Sequence, residues 1–140
     1  MGRQNVTSLR ESGINMRRYT ETEARFVQIC RAMGLACVVV LIVLSLVPGN
    51  ERPHTGMSGQ LEHTVAYFGT AVFLALGFRT IPDRIATILL LVGAAAAFEM
   101  IQRLIPGRHS QLIDWLASSS GAGAGVLAVV LMERFRPAVE

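Results

Sequence analysis

Four apolar segments, each about 20 residues long, limit most strongly what this chain can fold into. They run from about Gln28 to Val47, Gln60 to Phe78, Ile85 to Ile105 and Leu112 to Met132. At 1.5 Å per helical residue, each can cross the ~30 Å hydrocarbon layer of a membrane. Lipid requires backbone groups to pair within a segment, which favours helices. The sequence therefore predicts an all-α, polytopic membrane protein whose four transmembrane helices form a compact bundle.

Composition agrees with a membrane protein of one domain. Hydrophobic residues make up 51% of the 140 residues and charged residues 16%, against about 25% charged residues in soluble domains. We expect residues 1–22, which are polar and lack apolar periodicity, to be a disordered tail before a membrane domain at 23–136. No A-x-A-like site follows the first apolar segment, so we expect an uncleaved helix. A net charge of +3 without a basic patch interleaved with aromatics argues against nucleic-acid binding.

Arginine placement predicts the direction in which the helices cross the membrane. All 13 basic residues are arginine, and ten of them flank the side that holds both termini and the second loop. The first and third loops carry the other three: Arg52, Arg103 and Arg108. The positive-inside rule therefore places both termini in the cytoplasm and these two loops outside.

This orientation gathers the unusual polar residues near the outer face. They are Glu62, His63, Glu99, Gln102, Arg103, Arg108, His109, Ser110 and Asp114. Ionisable residues in membrane spans are functional candidates, yet each has a structural alternative. Asp114 could stabilise a helix N-terminus capped by Ser110, and Glu99 could pair with Arg103 one turn later. Glu62 could be solvated, and His63 could be a packing residue.

Helical spacing predicts which faces point into the bundle. Asp114, Ser118, Gly121 and Gly125 share one face of the fourth helix, and the G-x-x-x-G pair would allow close helix approach. Gly93 to Ala97 predicts a slim third helix in the same way. Cys30 and Cys37 lie about 10 Å apart along one helix, too far for a disulfide, and are expected to pack as small apolar residues.

Motifs for specific chemistry are weak in this sequence. The acidic and histidine residues of the outer zone have no spacing typical of a metal site, so neither a metal nor another cofactor is predicted. Ser110 and Ser118 to Ser120 are conceivable nucleophiles, but no nucleophile elbow such as G-x-S-x-G accompanies them.

The segment from Gln60 to Gly125 resembles the VanZ-like family. The resemblance rests on Leu61-Glu62-His63 and Ala66-Tyr67, on Phe98-Glu99 and Gln102, and then on Pro106-Gly107-Arg108, Ser110, Asp114, Gly121 and Gly125. It covers about half of the chain. Where the family usually has Asp-Lys this chain has Gly59-Gln60, and where it usually has Asn this chain has Ser118. Both departures would alter any ligand contact made at those positions.

The resemblance implies a multi-pass protein of the bacterial cytoplasmic membrane with a cell-envelope role. The family is named for a protein associated with low-level resistance to the glycopeptide teicoplanin. The leading hypothesis is an accessory protein, rather than an enzyme, that binds an amphipathic or lipid-linked envelope molecule among membrane lipids. The expected ligand-binding residues are Glu62, His63, Glu99, Gln102, Arg108, Ser110 and Asp114.

Two other functions remain open at this point. The first is an enzyme in which Glu99 and Asp114 act as general acid and base on a lipid-linked substrate. The second is a structural protein that works through membrane protein partners. Transport is less favoured, because no polar line crosses the inner half of the predicted bundle.

Overall fold

The computed structural model describes residues 3–48, 56–105 and 111–135, with side chains from Thr20 onward. It is all-helical over these residues. Four α-helices follow one another along the chain: α1 Arg3–Leu46, α2 Gly59–Gly77, α3 Ile81–Gln102 and α4 Leu112–Arg134. The helical fold class expected from the apolar segments is confirmed.

The first helix starts much earlier than the apolar segment that predicts it. α1 begins at Arg3, so it includes most of the segment 1–22 for which the sequence predicted no regular structure. No proline interrupts the chain before Pro48, and Glu21 and Arg25 have the i, i+4 spacing that favours a helix. The polar segment therefore continues the helix of the apolar span.

The third helix also begins before its predicted start. Pro82 lies in the first turn of α3, where a proline loses no hydrogen bond. The Thr80 side chain accepts a 3.3 Å hydrogen bond from the Asp83 backbone N–H and caps this helix. Ser58 caps α2 in the same manner through the Leu61 N–H.

The second helix is the centre of the bundle. It contacts α1, α3 and α4, whereas α1 and α4 do not touch each other within the described residues. Small side chains make this packing close: Ala71 and Ala75 of α2 and Ala122 of α4 are fully buried. Tyr67 and Leu91 extend the same apolar core.

The outer surface of the bundle is apolar. Large hydrophobic side chains of all four helices are exposed, among them Val39, Val65, Leu90 and Leu127, each more than half exposed. A surface of this kind is far more apolar than that of a soluble monomer. Among the described residues, three helical segments are long and apolar enough to cross a membrane: Thr20–Leu46, Ile81–Gln102 and Leu112–Arg134. These helices indicate a membrane-embedded protein.

Candidate functional site

At one end of the bundle α2 and α4 begin close to the ends of α1 and α3, as hydrogen bonds between these helix ends show. His63 of α2, Glu99 of α3 and Asp114 of α4 converge there. One ligand atom from each of these side chains lies within 4.8 Å of the corresponding atom of the other two. We call these three residues the polar triad. The sequence predicted each of them as a site residue, and the structure brings them together.

Two glycines explain why α4 approaches α2 so closely beside the triad. A Cβ atom at Gly125 would lie 2.6 Å from the Phe68 carbonyl oxygen, and one at Gly121 would collide with the Thr64 carbonyl oxygen. The Thr64 hydroxyl donates to the Ala117 carbonyl oxygen at 3.3 Å across the same contact. The predicted packing role of this G-x-x-x-G pair is confirmed.

The prediction that Gly93 and Ala97 let a neighbouring helix approach α3 closely is wrong. Gly93 and Ala97 are exposed, and no heavy atom of the described chain lies within 4 Å of a Cβ built at Gly93. Leu91 and Ala95 face the core instead. The G-x-x-x-A spacing marked a stripe of small residues, but nothing in it specified which side of the helix faces a neighbour.

Glu99 ties the end of α3 to the start of α4. Its side chain is almost entirely buried, with 8% exposure. One carboxylate oxygen accepts a 3.0 Å hydrogen bond from the backbone N–H of Gln111, and Gln111 is the N-cap residue of α4. Ser110, which the sequence suggested as the cap, lies outside the described residues.

Asp114 lies in the first turn of α4, where its charge interacts favourably with the helix dipole. Its Oδ1 accepts a 3.1 Å hydrogen bond from the Gln60 side-chain amide at the start of α2. The neighbouring Trp115 indole donates to the Val92 carbonyl oxygen at 3.2 Å and fixes α4 against α3. The first turn of α4 is thus held to both neighbouring helices.

His63 lies one turn before Tyr67 on the inward face of α2. Its Nδ1 atom is 3.4 Å from the hydroxyl of Ser118, whose side chain is 2% exposed. Tyr67 is 2% exposed and lines a small cavity together with His63. The imidazole therefore belongs to a polar network that connects α2, α3 and α4.

The remaining described candidates surround a small cavity next to the triad. Glu62 and Gln102 line it with His63, Ser45 and Tyr67, and its volume is about 40 Å³. Gln102 is buried and donates a 3.1 Å hydrogen bond to the Ser45 carbonyl oxygen of α1. Gln102 therefore joins two helices, whereas Glu62 is half-buried at the cavity wall.

Two predicted site residues, Arg108 and Ser110, lie outside the described residues, as does His109. Arg103 is described and exposed just after α3. The sequence did not predict Gln60 or Ser118 as ligand-binding residues, although it marked both as departures from the VanZ-like pattern and placed Ser118 on the inward face of the fourth helix. Both lie in the network of the triad, so the two departures belong to one place in the structure. Two loops separate Gln60 from Asp114, and the same two separate His63 from Ser118. No local sequence pattern therefore predicts these contacts.

A second polar cluster occupies the opposite end of the bundle, contrary to the expectation that this half has none. Arg84 of α3 pairs with Glu133 of α4 at 2.6 Å, and the exposed Arg79 pairs with Glu23 of α1 at 3.0 Å. Arg31 of α1 donates a 2.8 Å hydrogen bond to the Gly77 carbonyl oxygen. Arg84 and Glu133 are 49 residues apart, so no local sequence pattern predicts this pair.

Comparisons with known proteins add no relative: no family model matches the chain, and no curated protein or solved structure matches it. The polar triad and its surroundings are therefore the features that bear on function.

Proposed function

We propose that this chain is a VanZ-like accessory protein of the bacterial cytoplasmic membrane that binds the polar head of an amphipathic or lipid-linked envelope molecule. The supporting observation is the convergence of His63, Glu99 and Asp114 at one end of a bundle whose outer surface is largely apolar. Polar groups in a membrane span are costly and are kept where they serve a ligand. An accessory role in the cell envelope, including low-level resistance to a glycopeptide such as teicoplanin, belongs to the same proposal.

The membrane arrangement in this proposal has four spans, with both termini in the cytoplasm. α2 has 19 residues, which corresponds to a length of about 28 Å. Gln60, Glu62 and His63 make its first turns polar. The helix packs against all three other helices, and Val65 remains exposed on its apolar side. The triad then faces the outer leaflet, as the arginine distribution predicts.

The chemistry of the site favours a head group rich in hydroxyl or amine donors. Glu99 and Asp114 are acceptors when ionised, and the His63 ring offers one further acceptor or donor. Arg103 and Arg108 follow Glu99 in the sequence. Their guanidinium groups are suited to bind a phosphate of the same head group. The apolar outer faces of the helices would hold the acyl or prenyl chain.

Lipids retained by the purified full-length protein test this proposal. Mass spectrometry of extracts from the wild type should show one amphipathic species enriched over bulk lipid. Asp114→Asn and Arg108→Ala should reduce this species at least several-fold, whereas Glu23→Gln, at the opposite end of the bundle, should not. Identical lipid profiles for all four proteins would refute head-group binding at this site.

The second candidate function is an enzyme acting on a lipid-linked substrate. It is favoured by the approach of the Glu99 and Asp114 carboxylates to within 4.8 Å of each other. Two carboxylates this close can share one proton, so that one acts as acid and the other as base. A folded Glu99→Gln protein that binds the enriched lipid but no longer converts it would favour the enzyme. Full conversion by this variant would exclude acid–base chemistry at Glu99.

A further inference from the structure

From the geometry of the polar triad we propose that His63, Glu99 and Asp114 bind a divalent transition-metal ion. The three side chains come from three different helices, and their ligand atoms lie within 4.8 Å of one another. Spacing along the chain predicted no metal site, because metal motifs are recognised by ligands close together in sequence. Here the ligands are 36 and 15 residues apart, and the helix packing brings them together.

The distances require little rearrangement. Zn²⁺ lies about 2.0–2.2 Å from histidine nitrogen and carboxylate oxygen, which places neighbouring ligand atoms roughly 3–4 Å apart. A rotation of the Asp114 or His63 side chain that moves its ligand atom by about 1 Å would therefore bring the three ligand atoms to these distances. One imidazole and two carboxylates form a ligand set that suits Zn²⁺, Mn²⁺ or Fe²⁺ with open coordination positions.

Charge gives a second reason for a cation at this place. Glu99 is 8% exposed, and the Asp114 carboxylate lies within 4.8 Å of it. The hydrogen bonds described for these two carboxylates come from neutral groups, the Gln111 backbone N–H and the Gln60 amide. Two neighbouring carboxylates in an apolar setting need compensation by a cation or a proton. A divalent ion would compensate both at once.

Each triad residue also has a supporting contact of the kind that orients metal ligands. Gln60 holds Asp114, the Gln111 N–H holds Glu99, and Ser118 lies against the Nδ1 atom of His63. Such outer partners fix the direction of a ligand and strengthen metal binding by about 10- to 100-fold. The 40 Å³ cavity beside His63 and Glu62 has room for at least one water molecule to complete the coordination.

Metal titration of the tag-free, chelator-treated protein in nanodiscs tests the inference. All proteins carry Cys30→Ala and Cys37→Ala, so that native thiols do not contribute. Calorimetry with Zn²⁺ should give one ion per chain. His63→Ala and Asp114→Asn should weaken binding by more than 100-fold, and Gln60→Ala by about 10- to 100-fold. Glu23→Gln, on α1 at the far end of the bundle, should bind Zn²⁺ like the wild type.

A ligand exchange separates loss of the site from loss of the fold. His63→Cys keeps a metal ligand, so it should bind Co²⁺ and show a thiolate-to-metal charge-transfer band in the near ultraviolet. The same band should vanish in the double variant His63→Cys/Asp114→Asn. Absence of stoichiometric Zn²⁺ binding by the wild type would overturn the inference, and so would equal affinities for wild type and Asp114→Asn. The inference does not rest on the head-group proposal, because metal binding is measured with the ion alone.

Discussion

Arg79 and Arg84 are five residues apart and both form ion pairs, yet their surroundings differ. The Arg84 side chain is 10% exposed and its partner Glu133 is 32% exposed, whereas the Arg79 and Glu23 side chains are 39% and 48% exposed. Water screens an exposed pair and makes it weak. Removing one member of a buried pair leaves the other charge without compensation.

Arg84→Ala should therefore destabilise the protein far more than Arg79→Ala. We expect a loss of about 3 kcal/mol in the free energy of unfolding for Arg84→Ala and less than about 1 kcal/mol for Arg79→Ala. Unfolding by denaturant in mixed micelles, followed by circular dichroism, measures both. Equal losses in the two variants would contradict the assigned difference in burial.

Amide substitutions in the triad show whether Glu99 and Asp114 bind a ligand or only stabilise the packing of the helix ends. In Glu99→Gln the side-chain oxygen can still accept from the Gln111 N–H, and in Asp114→Asn it can still accept from Gln60. We expect each variant to change the free energy of unfolding by no more than about 1 kcal/mol, while ligand retention falls. Strong destabilisation with unchanged ligand retention would instead favour the structural, partner-binding alternative.

Among the helices, the contact between α2 and α4 sets the geometry of the site. Gly121 and Gly125 lie against the α2 backbone, and Gly123 lies two residues from each on a different face of α4. The triad residues His63 and Asp114 sit on these same two helices. Any separation of α2 from α4 would therefore widen the triad as well as loosen the bundle.

Gly125→Ala should destabilise the bundle by about 1–3 kcal/mol, since its new methyl group would meet the Phe68 carbonyl oxygen and the Ala71 side chain. Gly123→Ala is the matched control, because no described heavy atom lies within 4 Å of its Cβ position. It should be neutral or slightly stabilising, as alanine favours a helix over glycine. Thermal unfolding in the same detergent measures both variants, and an equal loss for Gly123→Ala would show that the close approach is not the cause.

The molecule as a whole has two chemically different ends. One end holds the triad and the small cavity, and the other holds the ion pairs of Arg79 and Arg84. Between them the core consists mainly of aliphatic and small side chains, and Tyr67 and the helix-bonded Thr70 and Thr87 are among its polar members. This asymmetry agrees with a ligand that approaches from one side of the membrane.

Cysteine labelling in intact cells tests the proposed orientation. In a background lacking Cys30 and Cys37, Met57→Cys at the start of α2 should react with a membrane-impermeant maleimide added outside. Phe135→Cys, after α4 and 76% exposed, should react only once the membrane is permeabilised. The reverse pattern would place the triad at the cytoplasmic face. External labelling of both positions would require an even number of spans between them and would exclude the proposed three.

Helix number and approximate helix ends could be read from the sequence, because hydropathy, proline and capping residues act locally. The inward face of α4 could be read as well, since Asp114, Ser118, Gly121 and Gly125 repeat with the helical period. The α3 start was misplaced because Pro82 serves equally as a stop or as a first-turn residue. The extent of α1 was underestimated, because a polar segment can continue a helix that an apolar span already supports.

Which side chains meet depended on how the helices cross. Gln60 and Asp114 are 54 residues apart, and His63 and Ser118 are 55 apart, so no periodicity connects them. The close approach of α4 to α2 at Gly121 and Gly125 turns separate polar positions into one triad with three ligand atoms. The sequence could name the chemical groups, since each is a rare polar residue in an apolar span. Their joint capacity to hold a cation depends on distances of a few ångströms, which come from packing among helices that are distant in sequence.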